Sequence, residues 1–305
     1  MPNTSVKTTP FSEFKPGNYS DGSPFDEVQY LECKIILKPD RFTSVKSFKD
    51  YSEIVRRAAD EFKVGFSTAG TAGQKPQIRE IIFLDTADFK LYNNAFILRR
   101  RIAYEDGFPV GDPEIVFKFR HPDLQKAAAM DVRPNIAGNY RIKFKQEALP
   151  LRDQVGGYRL LFSHNAQFGL SQAPEGDRQS FAAIARALPA LETLKASENE
   201  RIELVNQTFV EEVLQDLGTL DFGKGITAKA NSALWRSRSD HKPLVGEFSF
   251  QCKFQRRNEL HVKAVERGRQ FFIALQQVGR DWVSLGTTKT GIVYHLKGNP
   301  PQSHE

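Results

Sequence analysis

The chain has 305 residues, of which 40% are hydrophobic, and this is enough apolar material for a buried core. Lys and Arg outnumber Asp and Glu by 43 to 37, giving a net charge of +6 and a pI near 9.2. This charge favours an anionic partner but does not distinguish a phosphate ligand from a nucleic acid or a membrane surface. The two cysteines, Cys33 and Cys252, are too few for a disulfide framework or a zinc site.

The N-terminal residues 1–25 are rich in Ser, Thr, Pro and Gly and show no periodicity, which predicts a flexible arm. The remainder, 26–305, is predicted to form a single domain with a helical insertion around 150–220. The N-terminus lacks the apolar segment of a signal peptide, and no run of about 18 apolar residues occurs. We therefore expect a soluble, cytoplasmic protein that does not contact a membrane.

Apolar residues at helical spacing predict four helices that pack on the domain. They cover residues 47–62, 181–194 with a possible break at Pro189, 197–217 and 259–278. Ser197 and Glu200 have the spacing of a capping box, which suggests that the third helix begins there.

Five segments instead alternate between apolar and polar residues, as strands do. They lie at 28–37, 97–103, 114–120, 140–147 and 245–254. Their polar faces carry nine cations and four acids: Lys34, Arg99, Arg101, Lys118, Arg120, Arg141, Lys143, Lys145 and Lys253, with Glu32, Glu114, Glu147 and Glu247. The excess of five positive charges is close to that of the whole chain, so the charge is predicted to gather on one side of a sheet.

A plain sheet with one solvated face is an alternative explanation of this alternation. Against it, two arginines on one face, such as Arg99 and Arg101, repel each other unless an anion lies between them. If the sheet closes into a barrel, its charged face becomes an interior of low dielectric constant. Lys and Arg in such an interior bind phosphate more strongly than they do on an open surface.

A further basic segment is ambiguous. Lys229 and Asn231 share one strand face, whereas Arg236 and Arg238 share the other. A bulge between the two pairs would bring all four to one side. Trp235 is predicted to pack in the core rather than to stack on a base.

Several motifs occur in the order found in one known family. The pieces are Glu32-Cys33-Lys34, which resembles the second half of an ExExK signature; 83–101, which resembles a "YFDT … LRlR" hairpin; the basic strands 115–120 and 141–147; 246–254, at the place of a late E-x-E strand; and Thr287-Thr288-Lys289, which resembles an S-K element. The chain therefore resembles the CYTH-domain proteins of the triphosphate tunnel metalloenzyme superfamily. The resemblance covers roughly residues 26–296.

The resemblance implies an α+β fold: a closed antiparallel β-barrel of about eight strands, with helices packed outside, that encloses a tunnel. It implies metal-dependent hydrolysis of a triphosphate or polyphosphate, with Mg²⁺ or Mn²⁺ as cofactor. A class IV-type adenylate cyclase is a further option within the family. So is a non-catalytic protein that binds polyphosphate or a nucleotide. Neither the organic group of the ligand nor the oligomeric state follows from the sequence.

The same resemblance assigns roles to individual residues. Glu32 and Lys34 would be catalytic, and Lys34 is alternatively a general acid or a charge-neutralising group. The phosphate-binding residues would be Lys34, Arg99, Arg101, Lys118, Arg120, Arg141, Lys143 and Lys289. The metal ligands would be Glu32, Glu247 and Glu147. For each Glu, an ordinary ion pair with a neighbouring cation is the competing interpretation.

The sequence also departs from the family pattern. Tyr30 replaces the first Glu of the ExExK signature, and Ser249 and Gln251 stand where carboxylates are expected. Cations are retained while acids are lost, which preserves anion binding better than metal-dependent catalysis, so a triphosphatase activity is expected to be weak or absent. Binding to RNA or DNA ranks low because the Phe residues fall on the apolar faces and no aromatic RNP-like pattern is present.

Overall fold

The computed structural model describes residues 14–71, 73–197 and 199–297. The strands are β1 Tyr30–Leu37, β2 Gly65–Ser67, β3 Gln77–Asp85, β4 Phe96–Glu105, β5 Phe108–His121, β6 Arg141–Pro150, β7 Tyr158–Gly169, β8 Glu203–Leu204, β9 Val210–Asp221, β10 Thr227–Ser237 and β11 Pro243–Lys253. The helices are α1 Lys46–Glu61, α2 Lys90–Asn93, α3 Leu124–Ala129, α4 Phe181–Ala187, α5 Val262–Val278 and α6 Lys289–Tyr294. None of the described helices is long and apolar enough to cross a membrane.

Nine of the strands form a closed barrel, in the order β9-β10-β11-β1-β6-β7-β5-β4-β3, and pairing of β3 with β9 closes the ring. Strands β2 and β8 extend the sheet outside this ring. The prediction of a closed barrel with helices outside is confirmed. The predicted strand number and the purely antiparallel pairing are wrong: there are nine strands, and β1 runs parallel to β6. Side chains alternate between faces in either pairing direction, so the sequence pattern does not reveal a parallel pair.

The apolar faces of the strands point outward and are covered by helices. Ile35 of β1 and Phe248 of β11 are fully buried with Phe271 and Leu275 of α5 in the largest hydrophobic cluster, to which α1 also contributes. Burial of each such side chain favours folding by roughly 1.5–3 kcal/mol. The predicted helices at 47–62 and 259–278 correspond to α1 and α5.

The segment around 150–220 differs from its prediction. It contains the barrel strands β7 and β9, and between them α4 ends at Ala187 before a 3₁₀ turn over Pro189–Leu194. The helix predicted over 197–217 is wrong, because its second half is β9. Its apolar residues, such as Val213 and Leu217, are spaced by four, and this spacing keeps residues on one face of a strand as well as of a helix.

One end of the barrel is filled with apolar side chains. Ile36, Phe83 and Trp235 lie near the ends of their strands and pack in one cluster with Val293 and Tyr294 of α6. The strand directions place Arg141, at the start of β6, toward the opposite end of the barrel. The interior is therefore covered by α6 at one end and reached past Arg141 at the other.

Part of the predicted N-terminal arm lies outside the described residues. In the described part, Tyr19 is 7% exposed, and its hydroxyl donates a hydrogen bond to the Ala128 carbonyl at 3.0 Å. The Arg133 guanidinium lies 4.7 Å from the centre of the Tyr19 ring and forms an ion pair with Asp21 at 2.9 Å. These contacts hold this part of the segment against α3 and the residues that follow it.

Candidate functional site

The polar faces of the barrel strands converge on one interior cavity of about 410 Å³ rather than on open solvent. Its lining contains ten cations and four acids: Lys34, Arg79, Arg99, Arg101, Lys118, Arg120, Lys143, Lys145, Lys229 and Lys289, with Glu32, Glu147, Glu212 and Glu247. The excess of six positive charges equals the net charge of the whole chain.

Every site residue predicted from the sequence lines this cavity except Arg141. Arg141 is exposed at the mouth and donates a hydrogen bond to Gln167, a lining residue, at 2.9 Å. Two other residues counted on the polar faces also lie apart from the lining. Glu114 accepts a hydrogen bond from Arg101 at 2.6 Å, and Lys253 is exposed at the end of β11.

A first ion-pair cluster joins β1 to β6. Lys34 Nζ lies 3.1 Å from Glu32 Oε2 and 3.0 Å from Glu147 Oε1, and these two acids are register partners on the parallel strands. Lys145 lies 3.1 Å from the same Glu32 oxygen. Burial acts to raise the pKa of Glu32, but Lys145 and Lys34 lower it to about 2. Glu32 is therefore an ionised carboxylate that already forms ion pairs with two ammonium groups.

Glu147 is 1% exposed and is surrounded by three cations. Besides Lys34, its oxygens lie 3.7 Å from Lys118 Nζ and 3.4 Å from Arg120 Nη2, although neither oxygen accepts a well-aligned hydrogen bond. Burial opposes ionisation, yet Arg120, Lys34 and Lys118 hold the pKa of Glu147 well below its usual range. The acid on β6 is thus the counter-charge for three cations on two other strands, β1 and β5.

A second cluster lies beneath α6. Glu212 accepts a hydrogen bond from Trp235 Nε1 at 2.8 Å and pairs with Arg79 at 2.5 Å. Lys289 lies 2.7 Å from Glu247 Oε1, 3.4 Å from Glu212 Oε1 and 4.7 Å from the centre of the Trp235 ring. Burial acts to raise the pKa of Glu212, but Lys289 and Arg79 hold it below its usual range. Trp235 therefore both packs in the core, as predicted, and orients a cavity acid.

Two cavity cations form no ion pair within the described residues. Arg99 Nε is buried without a hydrogen-bond partner, and burial together with the charge of Arg101 lowers the pKa of its guanidinium to about 10. Burial and the charges of Arg141 and Lys145 lower the pKa of Lys143 to about 8. Burial, with a further contribution from Arg120, also lowers the pKa of Lys118. Unpaired, desolvated cations around one cavity favour the entry of an anion.

Sequence reasoning missed Arg79 and Glu212, which face each other across the closing pair β3–β9. Glu212 was missed because a helix was predicted over 197–217, where the structure has strand β9. A signal was present: Gln77, Arg79 and Phe83 share one parity, and all three line the cavity. Of the ambiguous basic segment, Lys229 and Asn231 line the cavity, whereas Arg236 pairs with Glu211 and Arg238 with Glu80 away from the lining.

Asp85 anchors α6, the helix that begins with Lys289. It is 1% exposed, and its oxygens accept hydrogen bonds from the backbone N–H groups of Thr86, Leu91 and Tyr92 and from the Tyr294 hydroxyl at 3.1 Å. Burial raises the pKa of Asp85 to about 6 despite these donors. Asp85 thereby links the turn before β4 to α6.

The residues that the resemblance assigns to Mg²⁺ or Mn²⁺ do not fit a metal held by the protein alone. No three His, Cys, Asp or Glu side chains in the part of the chain that the structure describes come together as a metal site. Glu32, Glu147 and Glu247 each pair with Lys or Arg instead. A hard divalent cation needs several oxygen ligands, and here it would also have to displace ammonium groups.

No protein-family model matches the sequence, and no curated protein matches it. The chain is similar to several solved structures. One is a Hippeastrum protein described as a candidate adenylyl cyclase with a dominant triphosphatase activity, at 11% identity and a TM-score of 0.41, with 91% of this chain and 100% of that chain covered. Another is a Bacillus halodurans protein described as a candidate adenylate cyclase, at 12% identity and a TM-score of 0.36, with 89% and 98% covered.

A third is the PH1819 protein of Pyrococcus horikoshii OT3, at 11% identity and a TM-score of 0.37, with 88% of this chain and 99% of that chain covered. At 11–12% identity, these matches give no residue-by-residue correspondence.

Proposed function

We propose that this chain is a divergent CYTH-type tunnel protein that binds the triphosphate or polyphosphate group of a small ligand inside its barrel. The observation that carries the proposal is the barrel cavity with ten cations and four acids, in which Arg99 and Lys143 have no ionic partner among the described residues. Its volume of about 410 Å³ lies within the range of small-molecule pockets, roughly 300–1,000 Å³.

A linear polyphosphate suits this lining better than a single anion does. The unpaired Arg99 and Lys143 lie on β4 and β6, and Lys118, with its lowered pKa, lies on β5. Strands β4 and β5 are neighbours in the ring and β7 separates them from β6, so the three cations are spread over four consecutive strands and several phosphate groups can each meet a different cation. Charge-assisted hydrogen bonds to phosphate are about twice as strong as neutral ones.

Isothermal titration calorimetry tests the proposal. Inorganic triphosphate is expected to bind more tightly than pyrophosphate, and orthophosphate to bind weakest, at one ionic strength and pH 7. A parallel titration with ATP shows whether the mouth accepts an organic group. Absence of binding by every polyphosphate would reject the proposal.

Metal-dependent hydrolysis and cyclisation of ATP stay predictions of the sequence resemblance. A phosphate-release assay with triphosphate and Mg²⁺ or Mn²⁺ tests hydrolysis, with Lys34→Ala as the control because Lys34 contacts both Glu32 and Glu147. Turnover that disappears in this variant would establish catalysis. Tight binding without turnover would establish a binding protein.

Binding to long nucleic acid is the remaining alternative. The ten cations and four acids of the cavity account for the whole excess of positive charge, and the other 33 Lys and Arg are balanced by 33 Asp and Glu, so a duplex would meet a surface without net positive charge. Binding to long RNA that persists in the presence of excess free triphosphate, and that weakens steeply with salt, would favour it.

A further inference from the structure

The Lys145 ammonium lies beside two of the positions where the sequence departs from the family pattern. The inference drawn from it rests on the proposed function. Its ammonium lies 3.1 Å from Glu32 Oε2, 2.7 Å from Gln251 Oε1 and 5.7 Å from the centre of the Tyr30 ring. Tyr30 and Gln251 are two of the three positions at which an expected acid is missing. Where carboxylates would gather around a metal ion, this chain has an amide, an aromatic face and a lysine.

The neighbouring acids are likewise occupied by cations of the chain itself. The Glu32 oxygen that contacts Lys145 also contacts Lys34, and Lys34 in turn contacts Glu147. Ser249, the third changed position, is the register partner of Lys34 on β11. The two ammonium groups and two carboxylates therefore form a chain of ion pairs that needs no external cation.

We propose that this protein takes its phosphate ligand as the metal-free polyanion, with the Lys145 ammonium supplying positive charge in place of a divalent ion. A Mg²⁺ ion bound to the ligand cancels two of the negative charges that the cavity cations would otherwise meet. It would also approach Lys34 and Lys145 without the carboxylates needed to hold it. Mg²⁺ is therefore expected to compete with the protein for the ligand.

The test is calorimetric titration of the full chain with inorganic triphosphate, once in EDTA and once with Mg²⁺ in large excess over the ligand. We expect binding in EDTA and an affinity at least about tenfold lower with Mg²⁺, the loss of one charge-assisted contact being worth about that much. Binding only with Mg²⁺, or binding at least as tight with Mg²⁺ as in EDTA, would overturn this inference and leave the proposed function intact. No binding in either buffer would reject the proposed function itself.

A variant pair tests the part played by Lys145. Lys145→Met keeps the aliphatic stem, and it is expected to reduce the metal-free affinity about 10- to 100-fold. Lys145→Arg should restore most of this loss because it restores the charge. Lys49→Met, an exposed position on α1, is the matched control and should bind like the unchanged chain. Thermal unfolding followed by circular dichroism verifies that each variant is folded.

A second measurement does not depend on the variants. Electron paramagnetic resonance of Mn²⁺ added to the full chain without phosphate reports how much of the ion is bound. We expect the spectrum of free Mn²⁺ at micromolar protein and metal. Stoichiometric immobilisation of Mn²⁺, or undiminished metal-free binding in Lys145→Met, would show that Lys145 does not supply the charge that a metal would bring.

Discussion

The Arg99 side chain combines burial with the lack of any ionic partner among the described residues. A buried charge that is neither paired nor fully hydrogen-bonded destabilises the folded state. The same charge can form strong hydrogen bonds when a phosphate enters. Removal of this side chain should therefore weaken ligand binding without lowering the stability of the unliganded protein.

Arg99→Ala is expected to reduce triphosphate affinity about 10- to 100-fold while leaving the unliganded protein as stable as before or more so. Calorimetry measures the first effect and urea unfolding without ligand measures the second. Arg57→Ala removes the same charge from the exposed face of α1 and should change neither quantity. A loss of stability that parallels the loss of affinity would indicate a structural role for Arg99 instead.

The lowered pKa of Lys143 predicts that ligand binding depends on pH. Its pKa of about 8 means that the free protein carries this charge below pH 8 and loses it above. A bound anion favours the protonated form, so ligand binding above pH 8 requires uptake of a proton and the affinity falls as the pH rises from 7 to 9. Calorimetry across this range measures the slope.

In Lys143→Ala the slope between pH 7 and 9 should become shallower, whereas Lys49→Ala should keep the original slope. An identical profile in all three proteins would assign the pH dependence to another group.

Strands β1, β5 and β6 meet through one side chain, Glu147. It contacts Lys34 from β1 and Lys118 and Arg120 from β5, beside the parallel pair of the barrel. Removal of the acid leaves three cations close together with no counter-charge. Breaking a buried ion pair from one side usually costs about 3–5 kcal/mol.

Glu147→Gln is accordingly expected to lower the free energy of unfolding by about 3–5 kcal/mol, measured with urea at pH 7. Because the folded-state pKa of Glu147 lies below its ordinary value, its stabilisation is present above that ordinary value and is lost as the pH falls below it. The difference between variant and unchanged chain should therefore shrink at low pH. Triphosphate should recover part of the lost stability at pH 7, and a deficit unaffected by pH or ligand would point to a packing defect.

For the strands, the sequence predicts which face each side chain lies on, but it does not predict which strands pair with each other. Alternation in β1 and β6 correctly predicted that Glu32 and Glu147 point to the polar side, but not that the two strands run parallel with these acids side by side. Which strands pair depends on contacts between distant segments, and a period of two carries no record of them. The pairing of Arg79 with Glu212 could not be predicted for the same reason, since only the closing of β3 onto β9 brings these two residues together.

Across the whole molecule, the charge is distributed unequally between interior and surface. The cavity lining alone has an excess of six positive charges, equal to the net charge of the chain, so the remaining charges nearly cancel. A field concentrated in the barrel interior attracts small anions to the mouth beside Arg141, while the rest of the surface attracts them little. With this distribution, a chain of modest overall charge could attract the proposed polyphosphate ligand.

Ligand binding should therefore stabilise the whole barrel. A ligand that binds only the folded state adds RT ln(1 + [L]/Kd), about 2.7 kcal/mol at 100 times Kd. Inorganic triphosphate in EDTA is expected to raise Tm, measured by differential scanning calorimetry, with a shift that diminishes as NaCl is raised.

The double variant Arg99→Ala/Lys143→Ala should lose most of this shift, whereas Arg57→Ala/Lys49→Ala should keep it. Sulfate at the same ionic strength controls for general salt stabilisation, which acts on any folded protein through exclusion from its surface. Equal shifts with sulfate and triphosphate, or an undiminished shift in the cavity double variant, would place the stabilising anion outside the barrel.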